Sequence, residues 1–240
     1  MMLPEPVKIG CVTIFNCDCM ELLSTFRDKE FDLAIVDIPY GLSGKWVHSE
    51  KGIGGFTLKP EEIEEMNKWD VLPPDTYFTE LERVANNRIV WGGNYVFDKL
   101  GACRGPIIWN KGQRGFTLAD GELAWSSVDK PLRICDCGKS IRAADKKNVQ
   151  GRWHGTQKPK YLYSWLLERY AKPGYKILDT YLGSGTHAMA CLDMGFELIA
   201  CEISDKYFKE AVTRIQEYVS SHERIFEPSE KIKLSEESLF

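Results

Sequence analysis

Apolar residues come in short runs separated by polar turns, and the length of each run limits what it can form. Val12-Thr13-Ile14-Phe15 reads as a short strand, and Met20, Leu22, Leu23 and Phe26 then give a partial apolar face that predicts a helix over 20–26. Phe31 to Val36 is an apolar run of strand length ending at Asp37, which sets a polar group at that strand's carboxyl end. After Pro73-Pro74 a helix is expected from Thr76 to Ala85. Strands follow at Arg88 to Trp91, stopped by Gly92-Gly93, at Pro106 to Trp109 and at Gly121 to Ser126. The last third is the most regular. A helix opens near Pro159, runs through Trp165-Leu166-Leu167 and ends at Ala171-Lys172-Pro173-Gly174. A strand at Tyr175 to Leu178 leads into a glycine turn, then come a helix near Thr186 to Met194, a strand at Glu197 to Cys201 and a helix from Asp205 to Val219. Strands alternating with helices imply an α/β fold with a mostly parallel sheet covered on both faces.

Three stretches break the pattern. Residues 41–60, rich in Gly, Ser and Lys and containing Gly52-Ile53-Gly54-Gly55, read as a mobile loop within a domain. From Asp129 to Trp153 periodicity is lost while Lys130, Arg133, Lys139, Arg142, Lys146, Lys147 and Arg152 accumulate, as in a functional insertion or a disordered loop. The last twenty residues, of mixed charge, read as a frayed tail. No internal repeat is present.

Composition narrows the classes. The 240 residues allow one large domain with an insertion or two small ones, and a hydrophobic share of 43% excludes disorder of the whole chain. No apolar run reaches the roughly 18 residues of a membrane span, and the start lacks the regions of a signal peptide, so a soluble cytoplasmic protein is expected. The eight Cys suit free thiols. Cys17/Cys19 and Cys135/Cys137 are spaced more tightly than usual zinc-ligand pairs, and no metal is expected. The net charge of −4 hides an asymmetry: residues 99–160 hold 13 Lys/Arg against 5 Asp/Glu, a net of +8, leaving −12 elsewhere. A polyanion-binding face on an acidic body gives such a split, as does a merely solvated basic surface.

Two motifs carry chemistry. Asp179-Thr180-Tyr181-Leu182-Gly183-Ser184-Gly185-Thr186 follows a strand and opens a helix, the setting in which glycines let the backbone approach a ligand. Glu202 lies 19 residues after Gly183 at the end of the next strand, where an acid can accept from both hydroxyls of a ribose, so a nucleoside-containing cofactor is expected. A P-loop is excluded because no Gly-Lys-Ser/Thr follows the turn. A nicotinamide enzyme is disfavoured because only 55 residues follow Gly185, fewer than a dinucleotide fold needs after its first glycine turn. The second motif is Asp37-Ile38-Pro39-Tyr40. The exocyclic amine of adenine is a poor nucleophile because its lone pair is delocalised into the ring. A carboxylate and a backbone carbonyl accepting its hydrogens favour a more tetrahedral nitrogen. Asp37 and the Ile38 carbonyl can supply those acceptors, Pro39 can fix the backbone and Tyr40 can stack on the base. The base must leave the duplex to reach such a pocket.

Taken together these segments resemble the DNA amino-methyltransferases, the S-adenosylmethionine-dependent enzymes of adenine N6 and cytosine N4, in the permuted order with the acidic tetrapeptide before the cofactor motif. Phe15 to Leu23 resembles the family's Gly-Asp-Cys segment beside the cofactor's adenine, with Asp18 and Cys19 on the matching positions. Asp37 to Tyr40 resembles Asp-Pro-Pro-Tyr, and His154-Gly155-Thr156-Gln157-Lys158-Pro159 resembles His-Pro-Thr-Gln-Lys-Pro. Asp179 to Thr186 resembles Asp-Pro-Phe-x-Gly-Ser-Gly-Thr. Ile38 and Thr180 replace prolines, Tyr181 keeps the aromatic ring of a Phe, and His187 replaces a Thr.

The resemblance implies a Rossmann-like methyltransferase fold with a small basic insertion. The catalytic half spans 1–128, a target-recognition insertion 129–153, the cofactor half 154–220 and a flexible tail 221–240. It implies a catalytic set of Asp37, Ile38, Pro39 and Tyr40, and a cofactor set of Asp18, Cys19, Asp37, Lys158, Asp179, Tyr181, Gly183, Ser184, Gly185, Thr186 and Glu202. DNA contacts fall to the seven cations of 129–153 and to the 41–60 loop. The expected partner is double-stranded DNA and no membrane; a homodimer and a cognate restriction endonuclease are further candidate partners. The expected reaction is site-specific methylation of adenine N6. The competing readings are cytosine N4, RNA or a protein glutamine amide as acceptor, and a non-catalytic nucleic-acid-binding protein that keeps the fold.

Overall fold

The structure, a computed structural model, describes residues 3–42, 64, 70–115, 119–138 and 157–226, with side chains as far as 221. Nine strands form one sheet: β1 (Val7–Ile9), β2 (Val12–Phe15), β3 (Phe31–Asp37), β4 (Ala85–Trp91), β5 (Ile107–Asn110), β6 (Gly121–Ser126), β7 (Arg133–Asp136), β8 (Lys176–Asp179) and β9 (Glu197–Cys201). The helices are α1 (Cys19–Ser24), α2 (Asp75–Val84), the short α3 (Phe97–Leu100), α4 (Lys160–Tyr170), α5 (Thr186–Met194) and α6 (Asp205–Phe226).

The strand order is β1-β2-β9-β8-β3-β4-β6-β5-β7. From β2 to β4 every pairing is parallel, so Phe15, Cys201, Asp179, Asp37 and Trp91 all end on one edge of the sheet. Apolar residues on one sheet face pack against α4, α5 and α6. Those on the other face pack against α1 and α2, where Tyr77, Phe78, Leu81 and Val84 form the buried stripe expected of an amphipathic helix. The chain leaves β8 into α5 on one face and leaves β3 towards α2 on the other. Such a divergence opens a crevice at the carboxyl ends of the two strands, where ligands of open α/β sheets bind.

The expected strands and helices of the core are present, with three differences. β1 was not anticipated; it is three residues long and pairs antiparallel with β2. β7 lies inside the stretch read as aperiodic, pairing parallel with β5, and only Cys135 of its four residues is buried, so its alternation is too short to read. The last helix continues from Val219 to Phe226. Of the two mobile-loop expectations, 43–60 and 139–153 lie outside the described residues, as does 227–240. No helix among the described residues is long and apolar enough to cross a membrane.

Candidate active site

The glycine turn is built first, by hydrogen bonds from the strand ends around it. Gly183 and Gly185 take φ values of +52° and +76°, which L side chains adopt at a cost. Asp179, buried at the end of β8, spends both oxygens within the protein: Oδ1 accepts from the Tyr181 amide at 3.0 Å and Oδ2 lies 2.9 Å from His187 Nδ1. The Glu202 carboxylate accepts from the Gly183 amide at 3.0 Å and the Ser204 amide at 2.9 Å. Burial pushes its carboxyl up, against the pull of those backbone donors. Each Glu202 oxygen keeps a lone pair able to accept a hydroxyl, and among the described residues nothing but the Tyr181 carbonyl oxygen, at 3.9 Å, lies near where a Gly183 Cβ would stand. The turn therefore offers an open backbone face beside an acid, as a nucleoside cofactor needs. Ser184 Oγ lies 2.8 Å from Thr186 Oγ1, and the Ser184 carbonyl accepts from Arg214 at 2.5 Å.

The amino-terminal segment reaches the same place. Asp18 caps α1 by accepting from the Met20 amide at 2.7 Å, and the Cys19 thiol donates to the Tyr181 hydroxyl at 3.4 Å. The Glu202 amide donates to the Phe15 carbonyl and Asn16 Nδ2 to the Glu202 carbonyl. Asp18, Cys19, Tyr181, Gly183, Ser184 and Glu202 thus share one corner. Among the described residues no cluster of three His, Cys, Asp or Glu side chains could hold a metal.

The departures from the resembled motifs have local partners. Thr180 Oγ1 bonds the buried Tyr77 hydroxyl of α2 at 2.7 Å, and His187 bonds Asp179 while stacking on Tyr163 at 4.6 Å. Ile38 sits 2% exposed in the apolar layer under α1 and α2.

The second half of the site is a buried charge network around Asp37. Tyr40 Oη donates to Asp37 Oδ1 at 2.9 Å, and Lys158 Nζ lies 2.5 Å from the same oxygen. Lys158 also donates to Tyr40 Oη and Glu122 Oε2, both at 3.1 Å, and Glu122 Oε1 is 2.5 Å from Lys111 Nζ. The Lys158 side chain is 2% exposed and its ammonium lies over the Trp91 and Tyr40 rings at 5.4 and 5.5 Å. Burial pushes the Asp37 carboxyl up; Lys158 pulls it down and Glu122 pushes it up further, leaving it raised. Burial would lower Lys158, but Asp37 and Glu122 outweigh it and raise it. Glu122 moves the other way: despite burial, Lys158 and Lys111 hold it down at about 2.

The backbone after Asp37 is fixed as well. The Asp70 carboxylate accepts from the amides of Tyr40, Gly41 and Leu42 at 2.8, 2.9 and 2.7 Å. Gly92, at φ +76°, leaves room for the Tyr40 ring, since a Cβ there would come within 2.1 Å of Tyr40 Cε1. Tyr40 is not bare: Tyr95 stacks on it at 5.0 Å, so a base stacking on that face must displace Tyr95, itself 42% exposed.

Several expected residues therefore come together. Lys158, expected at the cofactor, contacts Asp37, and Asp179 and Asp18 hold backbone. Glu122, Lys111, Asp70 and Gly92 were missed; the one available signal was the Gly92-Gly93 pair at a strand end. Of the expected DNA contacts, Lys139, Arg142, Lys146, Lys147 and Arg152 lie outside the described residues, as do His154, Gly155 and Thr156. Lys130 and Arg133 lie beyond the β5 side of the sheet, where with Ile134, Trp165, Arg169 and Tyr170 they line an open cavity of about 640 Å³.

Comparison with known proteins points in one direction. Residues 108–213 match the family model described as DNA methylase, of the N6/N4 type, a span that includes Lys111, Glu122, Lys158, the glycine turn and Glu202. Over that span the chain is similar to the N6/N4 DNA methylases. The chain is 22% identical to type II methyltransferase M.HinfI of Haemophilus influenzae over 90% of its own length and 71% of the relative. In fold it is similar to M1.HpyAVI bound to S-adenosylmethionine (TM-score 0.55, 18% identity, 85% of this chain and 99% of that one). It is equally similar to the cytosine-N4-specific PvuII DNA methyltransferase (TM-score 0.55, 13% identity, 89% and 92%). At such identities the structural likenesses speak for the fold, and the chemistry of the site rests on the chain's own residues.

Proposed function

We propose that this protein transfers a methyl group from S-adenosylmethionine to the N6 amine of an adenine turned out of duplex DNA. The observation that carries the reading is the Asp37 carboxylate, held through Oδ1 at the end of β3 beside the glycine turn of β8. Gly183, Glu202, Tyr181 and the Asp18–Cys19 segment would hold the cofactor, and Asp37-Ile38-Pro39-Tyr40 would receive the base. When bound, S-adenosylmethionine supplies an electrophilic methyl group whose C–S bond breaks as the N–C bond forms. Asp37 and the Ile38 carbonyl accept from the amine and free its lone pair for attack. The methylated nitrogen then carries one proton too many, which Asp37 is placed to take. The few kcal/mol spent on extracting the base are offset by stacking and by these hydrogen bonds.

Among the amino-methyltransferases that the chain resembles, cytosine-N4 enzymes of the permuted order more often carry Ser at the first position of the tetrapeptide, so Asp37 supports adenine over cytosine. The test is mass spectrometry of nucleosides from unmethylated mixed-sequence DNA after incubation with labelled S-adenosylmethionine. Labelled N6-methyladenine is expected; labelled N4-methylcytosine would overturn the choice of base, and no labelled nucleoside the choice of acceptor. Asp37→Ala should abolish transfer while leaving cofactor and DNA affinity near wild type, and an active variant would refute the mechanism.

A further inference from the structure

Lys158 has three N–H donors and three acceptors around it: Asp37 Oδ1, Glu122 Oε2 and Tyr40 Oη. The ammonium is fully used and nine-tenths or more of the side chain is buried. Its partner Glu122 belongs to β6, two strands from β3, and is itself tied to Lys111 just past the end of β5. Two carboxylates and two ammonium groups thus form a neutral quartet that spans four strands. Of the Asp37 oxygens, Oδ1 takes every hydrogen bond and ion pair recorded for that side chain among the described residues, and the side chain remains 24% exposed.

Resting on the methyl-transfer reading above, we propose that Glu122 is a positioning residue for that reaction: it anchors Lys158, which with Tyr40 fixes Asp37 through Oδ1 and leaves Oδ2 to accept from the target amine. Glu122 touches neither base nor cofactor. It acts through Lys158 and through the Tyr40 hydroxyl, which also lies 3.3 Å from Glu122 Oε2, and it keeps the buried charge balanced. Without it the Lys158 ammonium would have Asp37 as its only carboxylate, and the carboxylate that must face the substrate would be drawn to the lysine. The aim of Asp37 is set from β6, across β4, by a residue outside the two sequence motifs that mark the site.

Glu122→Gln is the first test, with Asp37→Ala run beside it. Misaimed acceptors cost rate steeply, so kcat should fall by about 100-fold while cofactor and DNA affinities hold. The pH dependence gives a readout that a merely structural role would not move. The Glu122 charge pushes the Asp37 carboxyl up, so its removal should shift the acidic limb of the kcat profile to lower pH. Glu122→Asp keeps the charge on a shorter arm, so it should lower kcat without moving the limb, and it keeps the proposal testable if the Gln variant folds poorly. Carbon NMR titration of the Asp37 carboxyl in wild type and variant gives the same answer without turnover, with a lower midpoint expected in Glu122→Gln. Wild-type kcat in both variants would overturn the proposal, as would an unmoved limb or midpoint in Glu122→Gln. If Asp37→Ala is inactive and Glu122→Gln is indifferent, this inference alone falls; if Asp37→Ala is active, the methyl-transfer reading falls with it.

Discussion

At the scale of the residue, the position of Tyr40 depends on what Gly92 lacks. The ring lies where a Gly92 Cβ would stand, and the glycine's φ of +76° is one that L residues rarely adopt. Gly92→Ala should therefore displace Tyr40, whose hydroxyl orients Asp37, and cost about 1–3 kcal/mol in strain alone. The expected outcome is a lower Tm together with loss of methyl transfer out of proportion to the loss of folded protein; a fully active variant would show that Tyr40 need not be held. Sequence reading reached Asp37, Tyr40, Lys158 and Glu202 because each stands in a local motif at a strand or helix end. It did not reach Glu122, Lys111 or Asp70. Their roles come from register and loop closure: Trp109 faces Glu122 across the sheet and Ala124 faces Trp91, pairings that no local spacing contains.

At the scale of the element, β9 does more than supply an acid. Through Glu202 it clamps the turn between β8 and α5, accepting from the Gly183 amide at 3.0 Å, so the group proposed to hold a ribose is also the scaffold of its own loop. Glu202→Ala should weaken S-adenosylmethionine binding by calorimetry and also lower Tm modestly, since the Gly183 and Ser204 amides lose their acceptor. Unchanged affinity would place the ribose elsewhere. The core strands were legible because buried parallel strands are nearly continuous apolar runs, as in Phe31 to Val36. β1 and β7 were not: three and four residues with at most one buried position carry no period to detect.

At the scale of the whole molecule, the charge asymmetry read from composition has a partial physical counterpart. Lys130 and Arg133 meet Arg169 around a cavity walled by Trp165 and Tyr170, where Arg169 lies over the Trp165 ring at 4.3 Å and Lys130 over the Tyr170 ring at 4.9 Å. If this edge follows the DNA backbone, Arg133→Ala should weaken binding about equally for all sequences and reduce the slope of log affinity against log salt by about 1. An unchanged slope would assign DNA contact to other cations of the chain.

The adjacency of β3 and β8 also bears on how the protein is made. Leu33 pairs with Ile177, 144 positions later in the chain. At about 5–20 residues per second, synthesis leaves β3 without that neighbour for roughly 7–30 s. Throughout that interval the nascent half-protein carries Asp37-Ile38-Pro39-Tyr40 at the end of an apolar strand with an open edge, a template for pairing with any other chain. Ribosome-bound intermediates of this protein should therefore depend on chaperones until β8 emerges to close the gap.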